Sequence, residues 1–329
     1  MRGIKLISLA LVCLLAGCMS AETNDLASGS GDGVSVASTG TITSPLASDL
    51  GNPGPGKAAV ATGAQIDLAA DAADGIPFVR SQSRPAAPFP LVLNSAVQRY
   101  VESFAAHSSG IKNSFRRSRP YLPMMVRVLE NRDLPPDLVY LSFAESSFSS
   151  DGAGPWQLSK ATARRFHLAV NKYVDERRDP IKSTRAAAEY LSTLHEVAGD
   201  WDMALVGWNR GEARLDRYSR LRGVEYSSLT DHLPYNTRSL LNRFMAVAII
   251  AQEPERYGIE PVDYSEPFHF RYVRVEGGTP LKDAAARTGV SEYELREYNP
   301  ALLHNRVPPY VEGYDLRVPV TEVSQAQSL

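Results

Sequence analysis

The sequence predicts a mainly α-helical protein that ends in a small β-α-α-β module. Between Leu91 and Gly258, apolar residues recur at helical spacing, and no segment alternates convincingly between apolar and polar residues. Capping residues and prolines divide this stretch into separate helices. After about Tyr264, β-branched and aromatic residues bounded by glycines replace the helical pattern. These observations together predict the fold class.

Capping signals set the order of the helices. Each predicted start is an N-cap side chain or a proline suited to the first turn: Asn94 or Ser95, Pro120, Pro135–Pro136, Ser159, Asp179, Asp200 and Thr237. The predicted ends are Glu130, Phe148, Phe166, Gly199, Asn209 and Pro254. Gly199 suits a helix stop because glycine adopts the left-handed conformation without steric cost.

The C-terminal part contains four pattern segments between Phe268 and Val320. "FHFRYVRVEGG" predicts a strand, "TPLKDAAARTGV" and "SEYELREYNP" predict short helices, and "YDLRVPV" predicts a closing strand. This order indicates a second, smaller module after the long helical region.

The N-terminus has the layout of a secretory signal peptide. Arg2 and Lys5 precede an apolar run from Leu6 to Leu15, which is too short to span a bilayer comfortably. "LAGC" resembles a bacterial lipobox, which implies acylation of Cys18 at the membrane. Met19 after that cysteine favours the outer membrane, with the protein facing the periplasm. The alternative is an ordinary signal peptide with an incidental cysteine.

Residues from Met19 to about Pro90 are rich in Gly, Ser, Thr, Ala and Pro and lack the apolar density of a core. We expect a flexible tether here. The chain therefore divides into four predicted regions: signal peptide 1–17, tether 18–90, helical domain 91–262 and C-terminal module 263–322.

Charge and composition exclude several function classes. The formal net charge of −2 gives no case for nucleic acid as a partner. The six histidines and two cysteines show no metal-site spacing, so we expect no metal and no cofactor.

Glu145 is a carboxylate where the helical pattern predicts burial. On a helix from Pro136, it shares one face with Leu138 and Leu141. Desolvation raises the pKa of a carboxyl group, and a protonated carboxyl near neutral pH can act as a general acid. The alternative is a buried salt bridge with one of three arginines: Arg164, Arg177 or Arg178.

Four motifs, in order, resemble the soluble lytic transglycosylase-like catalytic domain. "ESSF" followed by "GPWQLSKATA" resembles its Glu-Ser and Gly-x-x-Gln-x-x-x-x-Thr motifs. "YVDERRDPIKSTRAAAEYLSTL" resembles the next segment, and "GWNRGEARL" resembles its Ala-Tyr-Asn-x-Gly motif. "LPYNTRSLLNRFMAVAIIAQEPERYG" resembles the late helix of the membrane-bound lytic murein transglycosylase D type. The resemblance spans about half of the chain.

The resemblance implies a goose-type-lysozyme-like helical fold that acts on peptidoglycan glycan strands. The family cleaves the bond between N-acetylmuramic acid and N-acetylglucosamine and leaves 1,6-anhydromuramic ends. Glu145 matches its catalytic acid/base. Most glycosidases need two carboxylates, but an internal C6 hydroxyl nucleophile removes the need for the second. Two alternatives remain: a peptidoglycan-binding lipoprotein with weak or no catalysis, and a hydrolase that releases reducing ends.

Other motif residues have more than one possible role. Ser146 and Gln157 are expected to orient Glu145 or bind an N-acetyl group, or else to hydrogen-bond the turn. Asn209 binds sugar or caps the next turn, and Trp208 stacks on a sugar or fills the core. An ion network supporting the site is expected from four charged residues: Asp175, Arg177, Arg178 and Asp179.

The sequence departs from the family pattern at several positions. Trp208 replaces the family's tyrosine, and Asn236 and Leu240 replace a glutamate and a tyrosine of the late helix. The loop between Phe148 and Gly154 is shorter than usual. Substrate-positioning groups are therefore altered, although the acid/base residue is present.

The C-terminal module more faintly resembles a LysM module, a type that binds N-acetylglucosamine chains. The resemblance lies in "VEGGTPLKDAAARTGVSEYELREYNPAL", with its turn at Gly289–Val290 and its Asn299–Pro300 pair. The alternative is a structural appendage that packs on the helical domain.

Overall fold

The computed structural model describes residues 87–264 and 269–320. The predicted signal peptide, Cys18 and almost all of the tether lie outside the described residues. Within these two ranges, no helix is both long enough and apolar enough to cross a bilayer.

The helical part is built from α-helices joined by short turns. Their bounds are α1 (Ser95–Ala106), α2 (Ser108–Ser118), α3 (Leu122–Glu130), α4 (Tyr140–Ser146), α5 (Lys160–Arg165), α6 (Pro180–Ala198), α7 (Trp201–Arg210), α8 (Tyr226–Asp231) and α9 (Tyr235–Gln252). Four 3₁₀ segments lie between or after them: Pro136–Val139, Glu176–Arg178, Glu212–Leu221 and Pro254–Tyr257.

The predicted N-caps are confirmed at several helices. Asn94 caps α1 by accepting from two backbone N–H groups, Asp179 does the same for α6, and Asp200 caps α7. Each cap satisfies donors that have no partner inside the helix. Gly199 ends α6 in the left-handed conformation, with φ 85°. The capping pattern alone therefore located these boundaries.

Other boundaries differ from the prediction. The expected helix from Pro136 to Phe148 consists of a 3₁₀ turn followed by α4, and it stops at Ser146. The last long helix begins at Tyr235, two residues before the predicted start. The sequence also missed α2 and α8, because both are short and rich in serine and charged residues, so that their apolar spacing is weak.

Helices α6 and α9 form the centre of the core. Helix α6 packs against α3 and α7, while α9 packs against α1, α4 and α7. Gly207 permits the close approach of α7 to its neighbours, because a Cβ there would lie 2.9 Å from the side chain of Leu194. Residues of this core run from Phe89 to Ile259. The packing holds the end of α4 beside α7 and α9.

The C-terminal module has the predicted β-α-α-β order. Strands β1 (Phe270–Glu276) and β2 (Gly313–Pro319) pair antiparallel, and α10 (Leu281–Thr288) and α11 (Glu292–Tyr298) lie between them in sequence. A second core fills the module: Val275, Leu281, Ala284, Ala285, Leu295, Ala301, Leu302, Val307, Leu316 and Val318. Val174 belongs to this core, although it comes from the helical part of the chain.

The segment before α6 joins the module to the helical part. Tyr173 and Asp175 exchange backbone hydrogen bonds of 2.9 Å with Leu303 and Ala301. Arg317 of β2 pairs with Asp179, with 2.7 Å between Nη1 and Oδ2, and both side chains are buried. The two cores are therefore linked by a main-chain bridge and a buried ion pair.

Candidate active site

Glu145 lies at the last turn of α4, and the chain reverses sharply after it. Ser147 and Phe148 both adopt the left-handed conformation, with φ 56° and 60°. Such residues cost about 1–3 kcal/mol each and cluster at functional sites. Arg117 donates to the carbonyl of Ser147 at 2.8 Å, and the Tyr121 hydroxyl donates to that of Phe148 at 2.6 Å. The surrounding structure thus holds a strained turn directly beside Glu145.

The Glu145 carboxyl group is half-buried and has one neutral hydrogen-bond donor. Trp208 Nε1 donates to Glu145 Oε1 at 2.9 Å. Burial raises the pKa of Glu145, while the Trp208 hydrogen bond and the positive charge of Arg243 oppose that rise only in part. The net direction is upward, which favours the neutral acid. This is the electrostatic state that a general acid requires.

Glu145 forms none of the salt bridges considered from the sequence. Arg177 pairs with Asp175 at 2.6 Å, and Arg164 donates to the carbonyl of Val170. Across residues 87–264 and 269–320, no ion pair involves Glu145. Burial therefore acts on this carboxyl group without a charged partner in direct contact.

Arg243 of α9 is the residue of this site that the sequence reasoning missed. Its Nη2 donates to the carbonyl oxygen of Ala144, the residue before Glu145. Its Nε is buried and has no hydrogen-bond partner in the described part of the chain. A signal was present, because Arg243 follows Asn236 and Leu240 at helical spacing, on the face where the late-helix departures were noted.

Ser146 ties the end of α4 to the following loop. Its hydroxyl donates to the carbonyls of Ser142 and Pro155, at 3.1 and 2.8 Å, and accepts from the N–H of Ser149. This arrangement matches the turn-bonding alternative considered for Ser146. The hydroxyl spans the loop between Phe148 and Gly154 and holds it against the helix that carries Glu145.

Gln157 also bonds within that loop. Its Nε2 donates to the carbonyl of Gly154 at 2.7 Å, and its side chain is exposed. Gly154 has φ 77°, and a Cβ there would collide with the carbonyl oxygen of Arg177. The absence of a side chain at Gly154 therefore lets the loop lie directly against the Arg177 backbone.

Trp208 and Asn209 follow one another near the end of α7 but face different surroundings. Trp208 is 9% exposed and packs against Trp156 and Tyr190, with ring centroids 5.8 and 5.5 Å away. Asn209 is exposed, and its Oδ1 accepts from the Thr237 hydroxyl at 2.8 Å. Trp208 touches Glu145, whereas Asn209 connects α7 to the start of α9.

The expected ion network divides into two parts. Asp175 and Arg177 form a buried pair, and Arg177 Nη1 also donates to the carbonyl of Leu158 at 3.0 Å, which braces the Gln157 loop. Asp179 instead pairs with Arg317 of the C-terminal module. The Asp175–Arg177 pair braces the loop beside the site. The Asp179–Arg317 pair links the C-terminal module to the helical part.

Two parts of the chain match models of known protein families. Residues 131–227 match the model of the Transglycosylase SLT domain. The matched residues of the SLT domain include Glu145, Ser146, Gln157, Trp208 and Asn209, while Arg243 lies outside them. Residues 269–329 match the LysM-like domain of lytic transglycosylase MltD. The predicted family resemblance, the lysozyme-like helical fold and the LysM-like module are confirmed.

Curated relatives show the same resemblance. The chain is 25% identical over 216 residues to membrane-bound lytic murein transglycosylase D of Escherichia coli (strain K12), covering 63% of this chain and 48% of the relative. It is 37% identical over 108 residues to a putative tributyltin chloride resistance protein of Alteromonas sp. (strain M-1), covering 31% of this chain and 52% of that relative. The chain thus spans about half the length of the curated relatives it matches.

Proposed function

We propose that this protein is a peptidoglycan lytic transglycosylase in which Glu145 acts first as general acid and then as general base. One observation carries the proposal: a half-buried carboxyl group with a raised pKa, held by Trp208 at the end of α4 inside an SLT domain. The substrate bond is the one between N-acetylmuramic acid and N-acetylglucosamine.

The chemistry needs a single carboxyl group. Neutral Glu145 gives its proton to the glycosidic oxygen as the bond from that oxygen to the muramic acid anomeric carbon breaks. The C6 hydroxyl of the same muramic acid then bonds to the anomeric carbon and gives its proton to the Glu145 carboxylate. The product is a 1,6-anhydro end, and Glu145 is neutral again.

The surroundings of Glu145 suit both halves of this cycle. Burial favours the neutral acid before proton transfer. Trp208 Nε1 and the Arg243 charge favour the carboxylate that exists between the two steps. Among the described residues, no neighbouring carboxylate raises the pKa of Glu145 by repulsion, so the site does not resemble the close carboxylate pair of retaining glycosidases.

The proposal also assigns substrate contacts. Gln157 and Asn209 expose amide groups that are able to bind N-acetyl or hydroxyl groups of the glycan. Ser146 and Trp208 are proposed to act at the substrate site by positioning the loop and the acid, since their polar atoms are engaged in the protein. The LysM-like module is proposed to bind N-acetylglucosamine-containing strands.

Mass analysis of the sugar ends after digestion of purified sacculi tests the reaction. Anhydromuramic ends are expected. Reducing ends would show a hydrolase instead. Binding without new ends would show a catalytically inactive peptidoglycan-binding protein, an alternative kept open by Leu240, which is buried where the family has a tyrosine.

We also propose that Cys18 anchors the protein in the bacterial outer membrane, facing the periplasm. The "LAGC" motif and the words "membrane-bound" in the relative's name support this location. Cys18→Ala is expected to leave the membrane fraction or remain unprocessed, whereas Cys13→Ala, within the signal peptide, is expected to stay membrane-bound. Membrane partition of a processed Cys18→Ala protein would contradict the anchor.

A further inference from the structure

A polar groove lies between α1 and α9, in a part of the helical region that the acid/base chemistry does not use and that lies outside the residues matched to the SLT domain. It encloses about 620 Å³. Both helices present residues to it at helical spacing, mainly Arg99, Tyr100 and Ser103 from α1, with Arg238, Ser239 and Asn242 from α9. Facing helices normally fill such a space with apolar side chains. This groove is instead lined by hydrogen-bonding groups.

Two cations in the groove have no partner. Neither the Arg99 nor the Arg238 guanidinium group forms a hydrogen bond or an ion pair within the described ranges, although both side chains line the cavity. Asp231 also contributes to the lining. Two guanidinium groups and one carboxylate leave a local charge of about +1 at neutral pH. The groove therefore favours an anionic ligand, and its one carboxylate permits an accompanying amine.

The floor of the groove is rigid and polar. Asn242 is 3% exposed, and its Oδ1 accepts from the hydroxyl of buried Tyr226 at 2.9 Å. This hydrogen bond orients the amide so that its N–H groups are available as donors. Tyr100 and Ser239 bridge the two helices through their hydroxyl groups, 3.0 Å apart. Such fixed donors suit carboxylate or peptide oxygens.

The walls of the groove lead towards Glu145. On α1, Phe104 lies one turn beyond Tyr100, and its ring is 5.6 Å from that of Phe143. On α9, Arg243 lies one turn beyond Ser239 and bonds to the Ala144 carbonyl. One helical turn is about 5.4 Å. The two helices that line the groove thus also contact α4 next to Glu145.

We propose that this groove binds a carboxylate-bearing peptide, namely the acidic stem peptide attached to the peptidoglycan strand that Glu145 cleaves. The proposal rests on the proposed function for the identity of the strand. The fit comes from the unpaired guanidinium groups, the buried amide of Asn242 and the contacts that the next turns of α1 and α9 make with α4. A partner helix fits poorly, because a docking helix needs an apolar surface and Ala96 is the one aliphatic residue in the lining.

The test compares two substrates and two double variants of the full-length protein. Arg99→Gln with Arg238→Gln removes both groove cations. Arg217→Gln with Arg220→Gln is the matched control, because both side chains are exposed on the 3₁₀ segment and the net charge changes equally. The substrates are glycan strands with intact stem peptides and the same strands after an amidase has removed the peptides.

The groove variant is expected to lose at least about 10-fold in kcat/KM on peptide-bearing strands, the effect of charge-assisted hydrogen bonds. On peptide-free strands it is expected to match the wild type, and the control variant is expected to match it on both. An equal loss on both substrates, no loss on either, or the same loss in the control variant would overturn the proposal.

A binding measurement separates failure of this proposal from failure of the proposed function. Stem peptides released by the amidase are titrated into the wild type and the groove variant by calorimetry, which requires no catalysis. Binding by the wild type alone supports the groove, even if no anhydromuramic ends form. Absence of binding together with normal formation of anhydromuramic ends overturns the groove and leaves the reaction standing.

Discussion

Glu145 and Asp179 both carry carboxyl groups in poorly solvated places, and their surroundings shift the pKa values of these groups in opposite directions. Glu145 receives one neutral hydrogen bond, and its pKa is raised. Burial alone would also raise the pKa of Asp179, but the charges of Arg317 and Lys182 and the hydrogen bonds it accepts hold that pKa below its ordinary value. The surroundings therefore favour the neutral acid at Glu145 and the anion at Asp179.

The difference separates the carboxyl group proposed as the catalytic acid from a structural one. Desolvation acts on both, so the partners decide the protonation state. Asp179 caps α6 and pairs with Arg317, which satisfies its oxygens and links the LysM-like module to the helical part. Glu145 lacks such partners in the described residues, so burial favours its neutral form, as the proposed role of general acid requires. Four substitutions test this contrast.

The largest effect is expected from Glu145→Gln. Glutamine keeps the volume and can accept from Trp208 but cannot transfer a proton, so activity should fall by about 10²–10⁴-fold or more. Stability should hold or rise, because an amide avoids the cost of ionising a buried acid. Yields of anhydromuropeptides and thermal melts on the same protein measure both.

Glu196→Gln is the control for this substitution, since Glu196 is exposed on α6. It should change neither activity nor melting temperature. A structural role for Glu145 predicts the reverse pattern, with a large drop in melting temperature and activity retained at low temperature. That result would remove Glu145 from the mechanism.

Loss of stability, in place of loss of activity, is expected from a substitution in the Asp179–Arg317 ion pair that joins the module to the helical part. Arg317→Met keeps most of the apolar stem but leaves Asp179 as a buried charge without its ion-pair partner, at a cost of about 3–5 kcal/mol in unfolding free energy. Arg274→Met is the matched control, because Arg274 lies in the partner strand β1 and forms an exposed pair with Asp315. It should cost less than about 1 kcal/mol.

The junction effect should also depend on pH. The folded pKa of Asp179 lies below its unfolded value, so its contribution is present at neutral pH and is lost as the pH falls through the folded pKa. Urea unfolding of the wild type and Arg317→Met should therefore converge in acid. If the difference in unfolding free energy between the wild type and Arg317→Met stays constant down to low pH, the ion-pair explanation is refuted.

A substitution of Asp202 in α7 is expected to change the free energy of unfolding by a smaller amount and in the opposite direction, by stabilising the folded protein. Burial, with a further contribution from Asp200, raises the pKa of Asp202 from 3.8 to about 6. Its Oδ1 is buried without a hydrogen-bond partner in the described ranges. The ionised form therefore destabilises the folded protein above about pH 6, and Asp202→Asn should add about 1–3 kcal/mol at pH 7–8.

That gain should disappear below about pH 4, where Asp202 is protonated in both the folded and the unfolded state. Asp216→Asn, at an exposed position, serves as the control and should change little at either pH. Denaturant melts at pH 7.5 and pH 4 measure the difference. A stabilisation of equal size at both values would show that ionisation is not its cause.

The smallest effect is expected from Trp208→Phe, which removes the hydrogen bond to Glu145 and keeps an aromatic ring. This donor lowers the pKa of Glu145, so its loss should raise the pKa further. The alkaline limb of the pH–activity profile should move to higher pH, with activity reduced by roughly 10-fold.

Trp156→Phe is the matched control for this change. Trp156 packs against Trp208, but its Nε1 donates to Thr184 instead of Glu145. It removes the same indole group from the same cluster, so any loss from packing alone should appear in both variants. An equal shift of the pH profile in both would contradict a specific role for the Trp208 donor.

Much of the architecture was predictable because its signals are local. Asn94, Asp179 and Asp200 each cap a helix within their own next turn, and Gly199 ends α6 through its own backbone conformation. Polar segments such as α2 and α8 escaped prediction, because their helical state depends on burying a few residues against distant partners. The spacing that placed Glu145 on an apolar face was also local.

By itself, the sequence determined the order of the helices, the β-α-α-β module and the position of Glu145 at the end of a helix. It also supplied a set of possible charged partners for Glu145, Asp175 and Asp179. Only the tertiary structure decided the actual neighbours. Arg177 from that set binds Asp175, whereas two arginines outside the set supply the others: Arg317 reaches Asp179 across 138 residues, and Arg243 lies beside Glu145. Capping depends on neighbours in sequence, whereas ion pairing depends on which side chains the packed helices bring within a few ångströms.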